Sequence, residues 1–221
     1  MNADSPWPPP DPRDPYGLVA LDFDLTPDRV ASAYRHGIFP WPDGDAANPI
    51  PWVCPARRAI LDFTDLHLPK SLRKLQQKSA PLRRTIDTAF EAVIAACAAA
   101  PRRGQGGTWI IPPMVAAYTA LHRRGAVHSV ELWDGPDLVA GLYGVAVAGV
   151  FCGESMFTRI DGGSKLCLLH LIEHLRARGS TWIDLQQLTP HFALLGAREI
   201  SRADFLRRLA AARAAALPLF P

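Results

Sequence analysis

Residues 149–188 read GVFCGESMF, TRIDGGSK, LCLLHLIEHLRARGS and TWIDLQQL in unbroken succession. The outer pieces have the length and alternation of strands, and the leucine-rich middle has helical spacing, opened near Ser164 and closed at Gly179. A helix crossing between two strands of one sheet makes those strands parallel neighbours. The strands just before this unit, VHSVELW and LVAGLYGV, are joined by short turns at DGPD and near Ala148–Gly149, so they are expected to pair antiparallel. The sheet is therefore mixed, and the fold class is α/β. Glu154, Asp184 and Gln186 fall on strands that this arrangement sets side by side.

Upstream, a strand is expected near Arg58–Phe63, followed by the basic stretch LPKSLRKLQQKSAPLRR, read as a helix with a solvated cationic face. A helix beginning at Asp87 or Thr88 has Thr88 and Glu91 at capping-box spacing and buries Phe90, Val93, Ile94 and Cys97. The loop PRRGQGGTW is too rich in glycine to be regular, and a helix then runs from Pro113 to Arg124 and stops at Gly125. Downstream, SRADFLRRLAAARAAAL is an amphipathic helix capped by Ser201.

The N-terminal quarter has a different character. Residues 1–15 form a proline-stiffened arm. Thr26, Pro27 and Gly37 then mark the cap, first turn and left-handed stop of a short helix that buries Val30, Ala33 and Tyr34. From Phe39 to Pro55 the chain is a loop of prolines and tryptophans. The division expected is a small N-terminal unit over 1–56 and an α/β domain over 57–221.

Composition bounds the function classes. Across 221 residues, 48% hydrophobic and 20% charged is globular, which excludes wholesale disorder. Twenty-four Lys and Arg against 21 Asp and Glu give +3, a balance that permits a nucleic-acid partner without demanding one. No segment approaches the roughly 20 apolar residues of a membrane helix, and the start lacks a signal-peptide pattern, so a cytoplasmic address and no membrane partner are expected. Cys54, Cys97, Cys152 and Cys167 contain no C-x-x-C pair and read as buried thiols. His170 and His174 are four apart on a helix, but no third ligand accompanies them, so no metal site is assigned.

Three features carry candidate chemistry, each with a plainer reading beside it. In WIDLQQL, Asp184 and Gln186 share a face opposite Ile183 and Leu185. They are either surface polar groups or a relay in which the carboxylate polarises the amide, with Glu154 as a second carboxylate. RIDGGSK (159–165) is either a simple strand-to-helix connection or an anion cradle half-matching the coenzyme A loop of GNAT acyltransferases. Trp41, Trp52 and Trp109 are loop anchors or stacking platforms for a nucleobase, with cations nearby at Lys70, Arg73, Lys74, Lys78, Arg83, Arg84, Arg102 and Arg103.

Taken together, Ala33-Tyr34 with GIFPW (37–41), GTWI (107–110), VHSVELW, GLYGV, FCGESMF, Ser164-Lys165 and the I-D-x-Q of 183–186 resemble the leucyl/phenylalanyl-tRNA–protein transferase family, from about Gly17 to Leu209. The resemblance implies a GNAT-like mixed sheet flanked by helices behind a small N-terminal domain, using no metal or soluble cofactor. It implies transfer of Leu or Phe, and Met less well, from aminoacyl-tRNA to proteins or peptides with N-terminal Arg or Lys, marking them for degradation under the N-end rule. A monomer is the default. By the same resemblance, Trp41 and Trp109 flank the terminal adenosine. Phe151, Met156, Leu168, Leu171, Leu175 and Ile183 wall the aminoacyl pocket, and Glu154, Asp184 and Gln186 form the catalytic cluster. In that cluster Gln186 holds the amine, Asp184 polarises Gln186, and Glu154 binds positive charge on the acceptor. Lys74, Arg83 and Arg84 are the phosphate contacts expected. The chain departs from the family at Asp22-Phe23, where glycines are usual, and at Thr189, where Asn is common. It also has Leu142, Leu171 and Leu175 where Met or Phe is frequent, which predicts a roomier pocket favouring Phe. An acetyl-coenzyme-A-dependent N-acetyltransferase is the alternative.

Overall fold

The computed structural model describes residues 6–101, 108–147 and 149–220. In chain order the elements are β1 (Leu18–Asp22), α1 (Pro27–Arg35), β2 (Phe39–Pro40), β3 (Ile50–Val53), β4 (Arg57–Asp62), a 3-10 turn (Phe63–Asp65), α2 (Lys70–Lys78), β5 (Arg83–Ile86) and α3 (Phe90–Ala99). They continue as α4 (Pro112–Arg123), β6 (Val127–Asp134), β7 (Asp137–Val147), β8 (Val150–Thr158), α5 (Gly163–Ala177), β9 (Trp182–Gln186), α6 (Pro190–Ala193), β10 (Arg198–Ser201) and α7 (Arg202–Ala215).

A three-stranded sheet, β1-β3-β2, occupies the N-terminal segment, and a seven-stranded sheet of order β10-β4-β9-β8-β7-β6-β5 forms the centre. Every neighbouring pair in the large sheet is antiparallel except β8 and β9, which α5 joins. That is the crossover expected from residues 149–188. Its parallel contact is a single bridge, Cys152 to Asp184, after which the two strands part. Strand alternation sends side chains to two apolar clusters. One gathers α3, α4, α7 and the N-terminal sheet, and the other gathers α5, Leu72 and the tail residues Leu219 and Phe220.

Local signals placed several elements correctly. Thr26 accepts from the Arg29 N–H at the start of α1, Gly37 is left-handed (φ +77°) at its end, and Ser201 caps α7. Other expectations fail for identifiable reasons. The basic stretch is not one helix: α2 ends at Lys78, and Arg83 and Arg84 belong to an edge strand paired with β6. The Thr88–Glu91 capping box does not form, because Thr88 Oγ1 donates to the Ile86 carbonyl and α3 begins only at Phe90. Its cap comes from buried Glu131 on β6, which accepts the Ala89 N–H along with Thr85 and Ser129 hydroxyls. Trp52 is no loop platform; it lies fully buried in β3, 5.1 Å from Trp7, with its indole N–H on Asp22. Asp22 also pairs with Arg29, which accounts for a carboxylate there. The loop residues Arg102, Arg103 and Gly107, and the turn residue Ala148, lie outside the described residues. All four cysteines are free and buried.

Candidate active site

Two irregularities in the sheet build the site. Between β7 and β8, Tyr143 pairs with Ser155 but Gly144 pairs with Gly153, so Glu154 is the unpaired residue of a bulge. A bulge shifts strand parity by one. Phe151 and Met156, five apart and destined for opposite faces in a regular strand, both turn toward α5, while Glu154 turns to the α1–α4 side. Between β4 and β9, Ala59 pairs with Gln186 and Ile60 with Asp184, leaving Leu185 unpaired; Gln186 then takes a left-handed conformation (φ +61°).

Where β8 and β9 part, a cavity of about 410 Å³ opens between them. Its α5 side is apolar: Leu142, Phe151, Met156, Leu168, Leu171 and Ile183. Trp41, Trp109 and Phe39 form another wall, with Phe39 stacked on Trp41 at 6.1 Å. Glu154 and Gln186 close the polar side. Five of the six expected pocket residues therefore line one cavity with both tryptophans. Leu175 does not; it is fully buried one turn farther along α5, in the core.

The polar cluster is tightly bonded. Gln186 Nε2 donates to Glu154 Oε1 at 2.5 Å, and the Tyr118 hydroxyl donates to Glu154 Oε2 at 3.2 Å and lies 2.8 Å from the Tyr34 hydroxyl. Burial pushes the Glu154 carboxyl up to about 8 against the hydrogen bonds from Tyr34, Tyr118 and Gln186, with Asp184 adding to the rise. Asp184 is fully buried and does not touch the Gln186 side-chain amide, so the expected carboxylate-to-amide relay is absent. Instead its Oδ1 accepts the Gln186 backbone N–H at 2.9 Å, and Arg58 grips both oxygens at 2.9 and 2.6 Å. On the opposite rim, burial and then Lys165 lower the pKa of His191, which lines the cavity beside Phe192.

Sequence reading missed Arg58, Tyr118 and His191 as site residues. Arg58 sits in an Arg-Arg pair that reads as solvated, and its partner is 126 residues away. Tyr118 lies on the buried face of α4, and its partner Glu154 is 36 residues away on another element, so no local pattern marks it. The phosphate contacts expected at Lys74, Arg83 and Arg84 are not at the cavity. Lys74 is exposed on α2, Arg83 lies over Trp133, and Arg84 is half-buried, bonded to Ser79. In RIDGGSK, the left-handed backbone at Gly162 (φ +70°), packed against Leu75, accounts for that glycine without a ligand.

The family model described as leucyl/phenylalanyl-tRNA protein transferase matches residues 60–210, and the model of its N-terminal domain matches residues 23–56. The chain belongs to the leucyl/phenylalanyl-tRNA–protein transferase family. Proteins so named from Anaeromyxobacter sp. (strain K) and Pseudomonas fluorescens (strain Pf0-1) are 47% and 50% identical to it, over 92% and 89% of this chain and 87% and 86% of theirs. One from Bordetella bronchiseptica is 46% identical over 100% of this chain and 89% of its own. Among solved structures, a GCN5-related N-acetyltransferase from Kribbella flavida covers 66% of this chain and 55% of its own at TM-score 0.41 and 16% identity. Membership of the transferase family makes the chain an aminoacyltransferase that moves an amino acid from aminoacyl-tRNA to protein. No helix among the described residues is long and apolar enough to cross a membrane.

Proposed function

We propose that this transferase moves leucine or phenylalanine, and methionine less well, to the α-amine of proteins beginning with Arg or Lys, creating an N-end rule degradation signal. The observation that carries the reading is one continuous cavity whose apolar wall on α5 adjoins the Glu154–Gln186 pair. An esterified side chain buried against Leu168 and Leu171 would lay its carbonyl beside groups suited to a cationic amino end. The ester is already activated, so positioning and removal of one amine proton suffice. Gln186 orients the attacking amine, its Nε2 committed to Glu154 and its oxygen left to accept. Glu154 is largely protonated in the free enzyme and ionises as a cationic amino end approaches, which favours its charged form, and Asp184 acts on Gln186 through the backbone. Trp41 and Trp109 flank the terminal adenosine, and the exposed Lys74 and Arg83 meet the tRNA body, whereas Arg84, expected beside them, is held inward by Ser79.

The same reading takes the N-terminal unit as 1–56, ending between β3 and β4, and the transferase as a cytoplasmic monomer. The direct test is incubation with labelled Leu-tRNA or Phe-tRNA and a peptide beginning with Arg. Label should enter the peptide, and a peptide beginning with Asp should stay unlabelled; no label in the Arg peptide rejects the proposal.

A further inference from the structure

We propose that Arg58 is a positioning residue that locks the loop carrying Trp41 and the end of β9 carrying Gln186 into one register, so that donor and acceptor halves of the cavity meet. The inference rests on the transfer reading above. Arg58 is 1% exposed. Its Nε and Nη2 hold the two Asp184 oxygens, and its Nη1 donates to the Gly37 carbonyl at 3.3 Å. The rings of Phe39 and Phe205 lie 4.5 Å from the guanidinium carbon.

Each contact leads to one half of the site. Gly37 and Phe39 belong to the GIFPW segment that ends in Trp41, and both Phe39 and Trp41 line the cavity. Asp184 holds the Gln186 N–H, fixing a left-handed backbone that a non-glycine residue rarely adopts and that aims the Gln186 amide at Glu154. A buried ion pair is a weak source of net stability, because desolvation offsets most of the attraction. Geometry is what the planar fork supplies, since one guanidinium meets both carboxylate oxygens and a carbonyl at once; an ammonium cannot reproduce that pattern. Loss of the fork frees Asp184 and, through it, Gln186 relative to the Trp41 loop, which core packing through Phe39 keeps able to bind the donor, and the apolar slot on α5 is untouched.

The experiment is steady-state transfer from Leu-tRNA to an Arg peptide by Arg58→Lys, Asp184→Asn and the double variant Arg58→Met/Asp184→Asn, with circular dichroism confirming the fold. The double variant removes both charges, so no unpaired carboxylate burdens folding. A displacement on the order of 1 Å lowers rate about 100-fold. Each variant should lose roughly that in kcat, with the donor KM within about threefold of the parent. The double variant should be no worse than Asp184→Asn, because both act through one contact. Folded Arg58→Lys with kcat within threefold of the parent would overturn the proposal. So would additive losses of about 10,000-fold, or failure of every Arg58 variant to fold, which would make the residue one of stability alone. A parent that transfers nothing rejects the functional reading; a competent parent with unimpaired Arg58 variants rejects this inference alone.

Discussion

Glu154 sits where a carboxyl binds its proton unusually tightly: burial holds it up to about 8, despite three hydrogen bonds that favour the ionised form. A carboxyl raised on folding contributes stability that is complete below the ordinary range near about 4.3 and is lost as pH climbs through its folded value. The thermal midpoint should therefore fall between pH 5 and pH 9, and Glu154→Gln should flatten that fall by roughly 5 °C or more, a few kcal/mol in a chain of this size. Equal slopes in parent and variant, measured by calorimetry, would show that Glu154 ionises unhindered. Activity has its own signature. A cationic peptide end beside Glu154 favours its ionised form, and removing a hydrogen bond to a charged acceptor costs about 1.5–3 kcal/mol, so Glu154→Gln should raise the KM for an Arg peptide by roughly 10–100-fold while the KM for Leu-tRNA stays put. A variant that shifts only the donor KM would move Glu154 out of the acceptor site.

Strand irregularity, more than strand pattern, makes the cavity. Alternation alone places Asp184 beside Gln186 and says nothing of the unpaired Leu185 that turns Gln186 left-handed, nor of the bulge that brings Phe151 and Met156 to one face. The crossover through α5, the meander β6–β8 and the caps of α1 and α7 were legible because their signals lie within a few residues of one another. The four-residue strands β5 and β10 were not, being held by edge pairing. The start of α3 was misread because Glu131, from another strand, supplies its cap. The same contrast separates two leucines of α5. Leu171 lines the cavity and Leu175 does not. Leu171→Phe should shrink the slot and lower the Phe-to-Leu ratio of kcat/KM about tenfold, within the ~1–3 kcal/mol that a change of pocket shape commands. Leu175→Ala should instead destabilise the fold by about 2–5 kcal/mol and leave that ratio alone. A changed donor ratio in folded Leu175→Ala would put that residue back in the pocket wall.

Across the whole molecule, one apolar cluster runs from the N-terminal sheet through α1 to α3, α4 and α7, so the two sheets share an interior and the tryptophan loop is set against the large sheet by packing as well as by Arg58. The cations distribute differently. Lys74 and Arg83 point outward from α2 and β5, neither lining the cavity, whereas Arg84 turns inward to Ser79. The proposed contacts of the tRNA body with this face are electrostatic and independent of base sequence: each phosphate contact releases counterions and steepens the salt dependence without touching the reacting ester. Lys74→Ala and Arg83→Ala should each weaken aminoacyl-tRNA binding and reduce the log Kd against log salt slope by about 1. With a truncated donor that carries only the aminoacylated terminal adenosine, both variants should match the parent in kcat and KM. Equal losses with the full and truncated donors would mean that these residues act on the cavity, and unchanged salt slopes would mean that the tRNA approaches from another side.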